Sequence, residues 1–502
     1  MSASIIKTTS ILFILRVVKM VLSMVTITLS VKFFGISLDK DIWILTLTLF
    51  TTLGLALWGP VNEVFRAKFV FIKEQQGEEK AIRDTGSLLG FIILVSLIVS
   101  ILVLVFSHDI AAYMAANLPR NGIPLFVQMI CILLPTFLIT ELTNIGISIL
   151  NAYDEFYFPE YASIISVVLN VVILYFLAPV FGIYSLAIST YAGLAVLLAF
   201  VIVYMLKKEI HIWGCLYPID FRSVKIFMLF ALPFFFPYFV GQCTSLSGKW
   251  LAGILGEGNI SILNYSQQFT SILQSVISSV LTTVMVPMLA KAYIQKELDR
   301  YEFVIKENIR ICFLILCLAL PIMIGAAVPL CKFFYLRGAV TMETIDIIAR
   351  LVRFYSVAFV GVLAYIFTGM VLLSSDRGKQ YAFAGVLSQI VTIVANCCLV
   401  PRYGLLIFPL ISGISSMLSA CYMCLNIRFQ DRVSIFKMLL RYSVPVVALI
   451  GILYWINESV ELESSVTQLL VNGTIWLLLF PFTAHILQFD LKKLLLKIKI
   501  KL

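Results

Sequence analysis

The stretch NAYDEFYFPEYASIISVVLNVVILYFLAPVFGIYSLAIST, residues 151–190, decides how the rest of the chain is read. Between its acidic, aromatic opening and the turn at Pro179–Gly182 runs an almost wholly apolar segment, 159–178. About 20 such residues are what a helix needs to cross the hydrocarbon core, where every backbone polar group must be satisfied inside the segment. The turn then sends the chain into a second apolar run, 183–206. Two spans joined by a few residues make a membrane hairpin and leave nothing for a soluble core.

Working outward, the same alternation covers the chain. Spans are predicted at 8–34, 42–68, 86–107, 124–150, 159–178, 183–206, 224–250, 259–288, 308–328, 345–374, 380–399, 405–426, 436–456 and 466–486, fourteen in all. Composition agrees: of 502 residues 61% are hydrophobic and 13% charged, with mean hydropathy +1.03, whereas soluble domains are near half apolar and a quarter charged. The first span carries Arg16, Lys19 and Lys32 and is too long for a cleaved secretory signal, so it reads as a retained helix.

The net charge of +10 is spread through short loops instead of one basic patch, which argues against nucleic acid as a partner. With fourteen spans both termini share a side. That side collects twenty-six of the lysines and arginines, the other only six: Lys32, Lys40, Arg120, Lys332, Arg337 and Arg402. The positive-inside rule makes the termini cytoplasmic. The closing DLKKLLLKIKIKL is expected to lie on the anionic cytoplasmic leaflet as a basic amphipathic tail. Most of the ten cysteines fall inside apolar segments without ligand-like neighbours, and the mid-span pair Cys421 and Cys424 reads as structural, not redox-active or metal-binding.

The opening stretch also has a counterpart. From Ser374 the chain reads SSDRGKQYA, an apolar helix, then VPRYGLLIFPLISG, so that Asp154, Pro179 and Gly182 pair with Asp376, Pro401 and Gly404 at a constant offset of 222. Upstream, FFGISLDKDIWI and LAGILGEGNISI place Gly35 and Gly256 a similar distance apart. Six helices repeat once, and an even number keeps both copies in one orientation. The predicted organisation is an N-lobe, 1–210 (helices 1–6), a C-lobe, 211–430 (helices 7–12), two appended helices, 431–488, and the basic tail, 489–502. The fold class is therefore an all-α polytopic membrane protein with 14 transmembrane helices: two pseudo-symmetric six-helix lobes plus two C-terminal helices.

An ionisable group near the centre of a span costs at least ~2.5 kcal/mol, so it faces a cavity or a partner. Arg16 and Lys19, three apart on one helix face, suit a diphosphate or snorkel to an interface. Glu63 and Arg66 line the same opening or pair locally. Glu141, among the polar neighbours ITELTN, suits a lobe-interface or proton-linked role. Lys249 beside Trp250 is either a site residue or an interfacial anchor, and Arg350 and Arg353 open the tenth span near its outer end. In the eighth span NYSQQFTS places Asn264, Ser266, Gln267, Gln268 and Thr270 as a polar stripe, either helix-to-helix glue or a sugar-binding lining.

These residues resemble something known. FFGISLDKDIWI, GPVNEVF, ILNAYDEFYFP, LNYSQQFTSILQSVISSVLTTVMVPMLAKA and FYLRGAVT are similar to the MurJ-type lipid II flippases and the related Wzx-type polysaccharide repeat-unit flippases of the MOP (MATE-like) exporter superfamily. The resemblance implies two six-helix lobes, with two extra helices lining a groove for the lipid tail. It also implies an acidic residue after the first-loop glycine, for which Asp41 is the nearest match, with Asp39 nearby. The arginine frequent in the eighth span of such proteins stands here as Gln267 or Gln268, and the second-span arginine pair falls in the uncharged FTTLGLALW. Arg16 matches the first-span arginine only across a short gap. These departures favour a variant polyprenyl-diphosphate-linked substrate.

The function expected is a flippase carrying a polyprenyl-diphosphate-linked glycan, either lipid II-like or a polysaccharide repeat unit, from the cytoplasmic to the outer leaflet of a bacterial inner membrane by alternating access. Its substrate-binding residues are expected to be Arg16, Lys19, Asp41, Glu63, Arg66, Lys249, Asn264, Gln267, Gln268 and Arg353, with Glu141 the ion-coupling candidate. No cofactor and no metal are expected: without a GxxxxGK[ST] loop, energy comes from the membrane potential or an ion gradient. The expected partners are the lipid-linked glycan and membrane lipids, and the chain is read as a monomer. A MATE-type multidrug or cation antiporter would need acids deep in a cavity where the first span offers Arg16 and Lys19. A membrane glycosyltransferase or polymerase would need acid/base groups, yet the histidines, 108, 211 and 485, sit in loops or at helix ends.

Overall fold

The computed structural model describes residues 3–116, 118–427, 432–460 and 464–486. Among them the chain is helical throughout, without a strand. The predicted basic tail, 489–502, lies outside the described residues.

The chain divides into two compact units. The first holds residues 1–261 with 337–339, the second the remainder. The first comprises α1 (Ala3–Phe34), α2 (Leu38–Leu57), α3 (Gly59–Gln76), α4 (Glu78–Val105), the short α5 (Ser107–Met114), α6 (Gly122–Ala152), α7 (Tyr157–Phe181), α8 (Tyr184–Lys207) and α9 (Phe221–Ile254). The second contains α10 (Asn259–Val280), α11 (Val286–Ile294), α12 (Leu298–Leu320), α13 (Ala327–Tyr335), α14 (Met342–Ser374), α15 (Gly378–Tyr403), α16 (Ile407–Asn426), α17 (Arg432–Ser459) and α18 (Ser465–Ile486). The first three residues of α10 group with the first unit. Packing also places α9, the seventh span, with the first unit, because it lies against α2, α3 and α4.

Among the described residues twelve helices are long and apolar enough to cross a membrane. The eighth expected span is helical but polar and divided into α10 and α11 by a π turn at Leu281–Met285; in the fourteenth, α18, the apolar part is shorter, Ser465–Pro481. Two expected spans differ in outline. The second, read as continuous over 42–68, breaks at Trp58: α2 ends there and Pro60 sits in the first turn of α3, where a proline without an N–H fits a new helix better than the middle of an old one. The ninth, expected from 308, begins at Leu298, because nearly three polar turns precede its apolar run.

The duplication is visible in the backbone. Asp154 and Asp376 both adopt left-handed φ, 61° and 57°, a conformation that aspartate tolerates better than most side chains. Gly182 and Gly404 do the same at 54° and 75°. The paired helices are also joined alike. In α7–α8 the Ser166 hydroxyl donates to Gly193 O at 2.8 Å, and Asn170 fills the space a side chain at Gly193 would need. Moving 222 residues on, Asn170 becomes Thr392 and Gly193 becomes Ser415, whose hydroxyls bond each other at 2.8 Å across α15–α16. A large–small pair in one copy is a medium–medium pair in the other, as expected where small and hydroxyl residues bring membrane helices together.

In the second unit Pro321 opens a π turn, Pro321–Gly325, at the end of α12. Lacking an N–H, Pro321 gives no helical bond to Cys317 O, and the Trp476 indole of α18 donates there instead at 2.9 Å. Outside the spans, Asp220 caps α9 by accepting from Arg222 N and the Ser223 hydroxyl, which hold its carboxyl below the usual carboxylate range.

Candidate functional site

The ionisable groups of the first unit converge on α2, which lies between α6 and α9. Most of its first half is buried, Lys40 and Asp41 included. Asp41 has no exposed surface. Its Oδ1 accepts from Ser261 N at 2.8 Å and the Ser261 hydroxyl at 2.5 Å, and its Oδ2 from Gly258 N at 2.6 Å. Gly258 immediately precedes α10 and Ser261 lies in its first turn, and the positive end of that helix favours a carboxylate. Asp41 also attracts the ammonium groups of Lys40 and Lys249, both buried. Lys40 donates to the Ser30 hydroxyl at 2.5 Å. The residue expected to meet substrate is therefore engaged in a cap: two helix amides, one hydroxyl and two cations.

A second cluster lies where α2 gives way to α3. Glu141 of α6 is 3% exposed, and its Oε2 accepts from Asn62 Nδ2 at 2.9 Å; Asn144 is its other hydrogen-bond partner. Gly54 faces it so closely that a Cβ there would stand 2.9 Å from Oε1. Among the described residues Glu141 makes no ion pair. Its partners are amides, which suit a carboxyl in either protonation form.

The other expected site residues take separate partners. Arg16 donates through Nε to Glu160 Oε1 at 2.8 Å; since the apolar part of α1 starts at Ile14, this pair lies at the edge of the span. Lys19, one turn further on, is half-buried. Glu63 and Arg66 do not pair with each other: Glu63 accepts from the Tyr238 hydroxyl at 2.9 Å, and Arg66 stacks over Phe156 at 5.0 Å. In the second unit Gln267 donates to the Tyr355 hydroxyl at 2.8 Å and so joins α10 to α14, while Ser266 and Thr270 bond carbonyls of their own helix. Asn264 and Gln268 are half-buried. Arg353 donates to Ile324 O at 3.2 Å and stacks over Tyr454 at 5.1 Å.

The sequence profile of the family described as lipid II flippase MurJ matches residues 11–474. The chain belongs to that family. A lipid II flippase MurJ of Burkholderia cenocepacia is 24% identical over 416 residues, 80% of each chain. A probable lipid II flippase MurJ of Buchnera aphidicola subsp. Baizongia pistaciae is 21% identical over 62% of this chain and 61% of its own. Among solved structures, lipid II flippase MurJ in an inward closed conformation superposes with a TM-score of 0.80 at 18% identity, covering 95% of this chain and 98% of that one. An inward-facing multidrug resistance MATE family transporter of the MOP superfamily gives 0.68 at 16% identity, with 85% and 98% covered. The MurJ family is one of transporters, which sets aside the glycosyltransferase and polymerase reading, and the fold is that of the solved MurJ and MATE structures.

Several participants had no sequence signal. Lys40 reads as a loop cation because the expected span begins at 42, yet α2 starts at Leu38 and carries it inside. Asn62 and Tyr238 look like ordinary span residues until the break at Trp58 brings one to Glu141 and the other to Glu63. Only the conflict between GPVN and a continuous helix hinted at that break.

Proposed function

We propose that the chain moves a polyprenyl-diphosphate-linked glycan from the cytoplasmic to the outer leaflet of a bacterial inner membrane, with lipid II the leading candidate. The match to the lipid II flippase family over residues 11–474 carries this reading, supported by a fold that follows a solved MurJ over nearly its full length. Alternating access accounts for transfer of a head too polar to cross lipid unaided. Arg16 and Lys19 supply the positive charge a diphosphate requires, at the edge of the first span where a lipid head enters. Glu141 is the coupling group, since a buried carboxyl held by amides can carry a proton without breaking an ion pair. The termini are cytoplasmic, the protein works as a monomer without cofactor or nucleic acid, and its energy comes from the membrane potential or an ion gradient.

Gln267 or Gln268 in place of the expected arginine, together with the uncharged FTTLGLALW, favours a second reading: a related glycan on the same polyprenyl carrier. Depleting the protein and identifying the lipid-linked intermediate that accumulates on the cytoplasmic leaflet separates the two. Lipid II there supports the first reading, and another repeat unit supports the second. Accumulation of neither overturns both.

A further inference from the structure

In the second unit α14 is 33 residues long, about 50 Å at 1.5 Å per residue, far more than the bilayer core requires. Its charges show which part lies outside. Glu343, Asp346, Arg350 and Arg353 all fall in its first twelve residues, and 354–374 contains none. That uncharged remainder is about 31 Å long, the thickness of the hydrocarbon core. Arg353 therefore marks the membrane boundary, the level at which lipid phosphates lie.

Two cavities meet at that residue. On the polar side is one of about 370 Å³ bounded by Lys332, Asp346, Arg353, Tyr454, Glu458 and Gln468. On the membrane side an apolar groove of about 640 Å³ runs from Arg353 past Val357 and Gly361 of α14 and Leu410, Gly413 and Ile414 of α16. The polar cavity is built, not incidental. Ile324 O, in the π turn after Pro321, accepts from Arg353 Nε at 3.2 Å, and the Tyr454 ring supports the guanidinium from another side. Its far wall is stiffened by an amide network in which Gln468 and Asn472 both donate to Asn457 Oδ1 at 3.0 Å, tying α18 to α17. The groove exists because Gly361, Gly413 and Ala358 let α14 and α16 approach closely while larger side chains stand apart on either rim.

We propose that this end of α14 binds one zwitterionic phospholipid, with its phosphate at Arg353 and Lys332, its ammonium at Asp346 and Glu458, and an acyl chain in the α14–α16 groove. Two cations and two carboxylates around one cavity match a head carrying both signs, whereas a purely anionic head would meet Asp346 and Glu458 unfavourably. The site is built wholly from residues of the second unit, and it does not depend on the transported substrate.

The test is native mass spectrometry of the detergent-purified full chain titrated with phosphatidylethanolamine, phosphatidylglycerol or undecaprenyl phosphate. The wild type is expected to bind the first about fivefold more tightly than the second, the scale of exposed charge pairs. Replacing both acids, Asp346→Asn with Glu458→Gln, preserves side-chain size and brings that ratio to one or below, by weakening phosphatidylethanolamine and relieving the repulsion felt by phosphatidylglycerol. Val357→Trp fills the groove from a lipid-facing position and weakens both phospholipids. Equal binding of the two phospholipids to wild type, a preference that survives loss of both acids, or tighter binding of undecaprenyl phosphate at this site would each overturn the proposal. Melting temperatures of the variants confirm that any loss of binding occurs in folded protein.

Discussion

Asp41 and Glu141 are carboxyl groups on spans of the same unit, with 0% and 3% of their surface exposed, yet the protein treats them in opposite ways. Asp41 is surrounded by positive character: two amides at a helix start, a hydroxyl and two lysines. Glu141 has only the amides of Asn62 and Asn144 beside a helix break. The first arrangement commits both carboxyl oxygens to holding the start of α10 in place. The second tolerates a carboxyl without committing it to charge, as a group that exchanges a proton during a transport cycle requires.

The largest effect should follow from breaking the first arrangement. Asp41→Ala removes three accepted hydrogen bonds and leaves two buried amides and a hydroxyl without their acceptor, a loss of about 3 kcal/mol at roughly 1 kcal/mol per bond. The expected result is a large fall in the melting temperature of detergent-solubilised protein, or failure to accumulate folded protein. Asp41→Asn keeps one acceptor oxygen, for Ser261 N or Gly258 N but not both, and should fall between Ala and wild type. A melting temperature unchanged in Asp41→Ala would show that Asp41 is not a structural cap and would return it to the substrate-binding residues.

An intermediate effect should come from crowding Glu141. At Gly54 an added Cβ would lie 2.9 Å from Glu141 Oε1. Alanine normally improves a helix by about 1 kcal/mol over glycine; here the contact should cancel that gain and cost about 1 kcal/mol net, in the low range for overpacking. A double-mutant cycle gives the check, because in a Glu141→Ala background Gly54→Ala should become neutral or stabilising. If Gly54→Ala has the same effect in both backgrounds, the close approach of α2 to Glu141 is not what sets the glycine.

Much of this comparison was legible in the sequence, and the missing part has a definite cause. Apolar run length revealed the spans, and the Asp154/Asp376 and Gly182/Gly404 anchors revealed the repeat, because both depend on local signals: hydrocarbon thickness and left-handed turns. Glu141 stood out as an acid in an apolar helix. What it and Asp41 touch did not, since Asn62 is 79 residues from Glu141 and Ser261 is 220 from Asp41. Asp41 matches the family's first-loop acid in the sequence, but nothing local signals that the start of α10 takes up its oxygens. The division at Trp58 mattered most, because one helix turn there determines whether Asn62 faces Glu141 or lipid.

The smallest change in stability and the sharpest functional contrast should come from Glu141→Gln. Glutamine keeps an oxygen for Asn62 Nδ2, and its amide can donate where the carboxylate cannot. Asn62 Oδ1 is itself buried without a donor, so the melting temperature should move by less than the equivalent of about 1 kcal/mol. Transport should respond differently, because the glutamine side chain does not exchange a proton with bulk water as a carboxyl does. In proteoliposomes with an imposed pH difference, wild-type transfer of a lipid-linked glycan should depend on that difference, and Glu141→Gln should transfer at a rate indifferent to it. A variant that melts like wild type and keeps the full pH response would place the coupling elsewhere. Loss of folded protein would instead show that Glu141, like Asp41, is a structural charge, and the contrast between the two carboxylates would disappear.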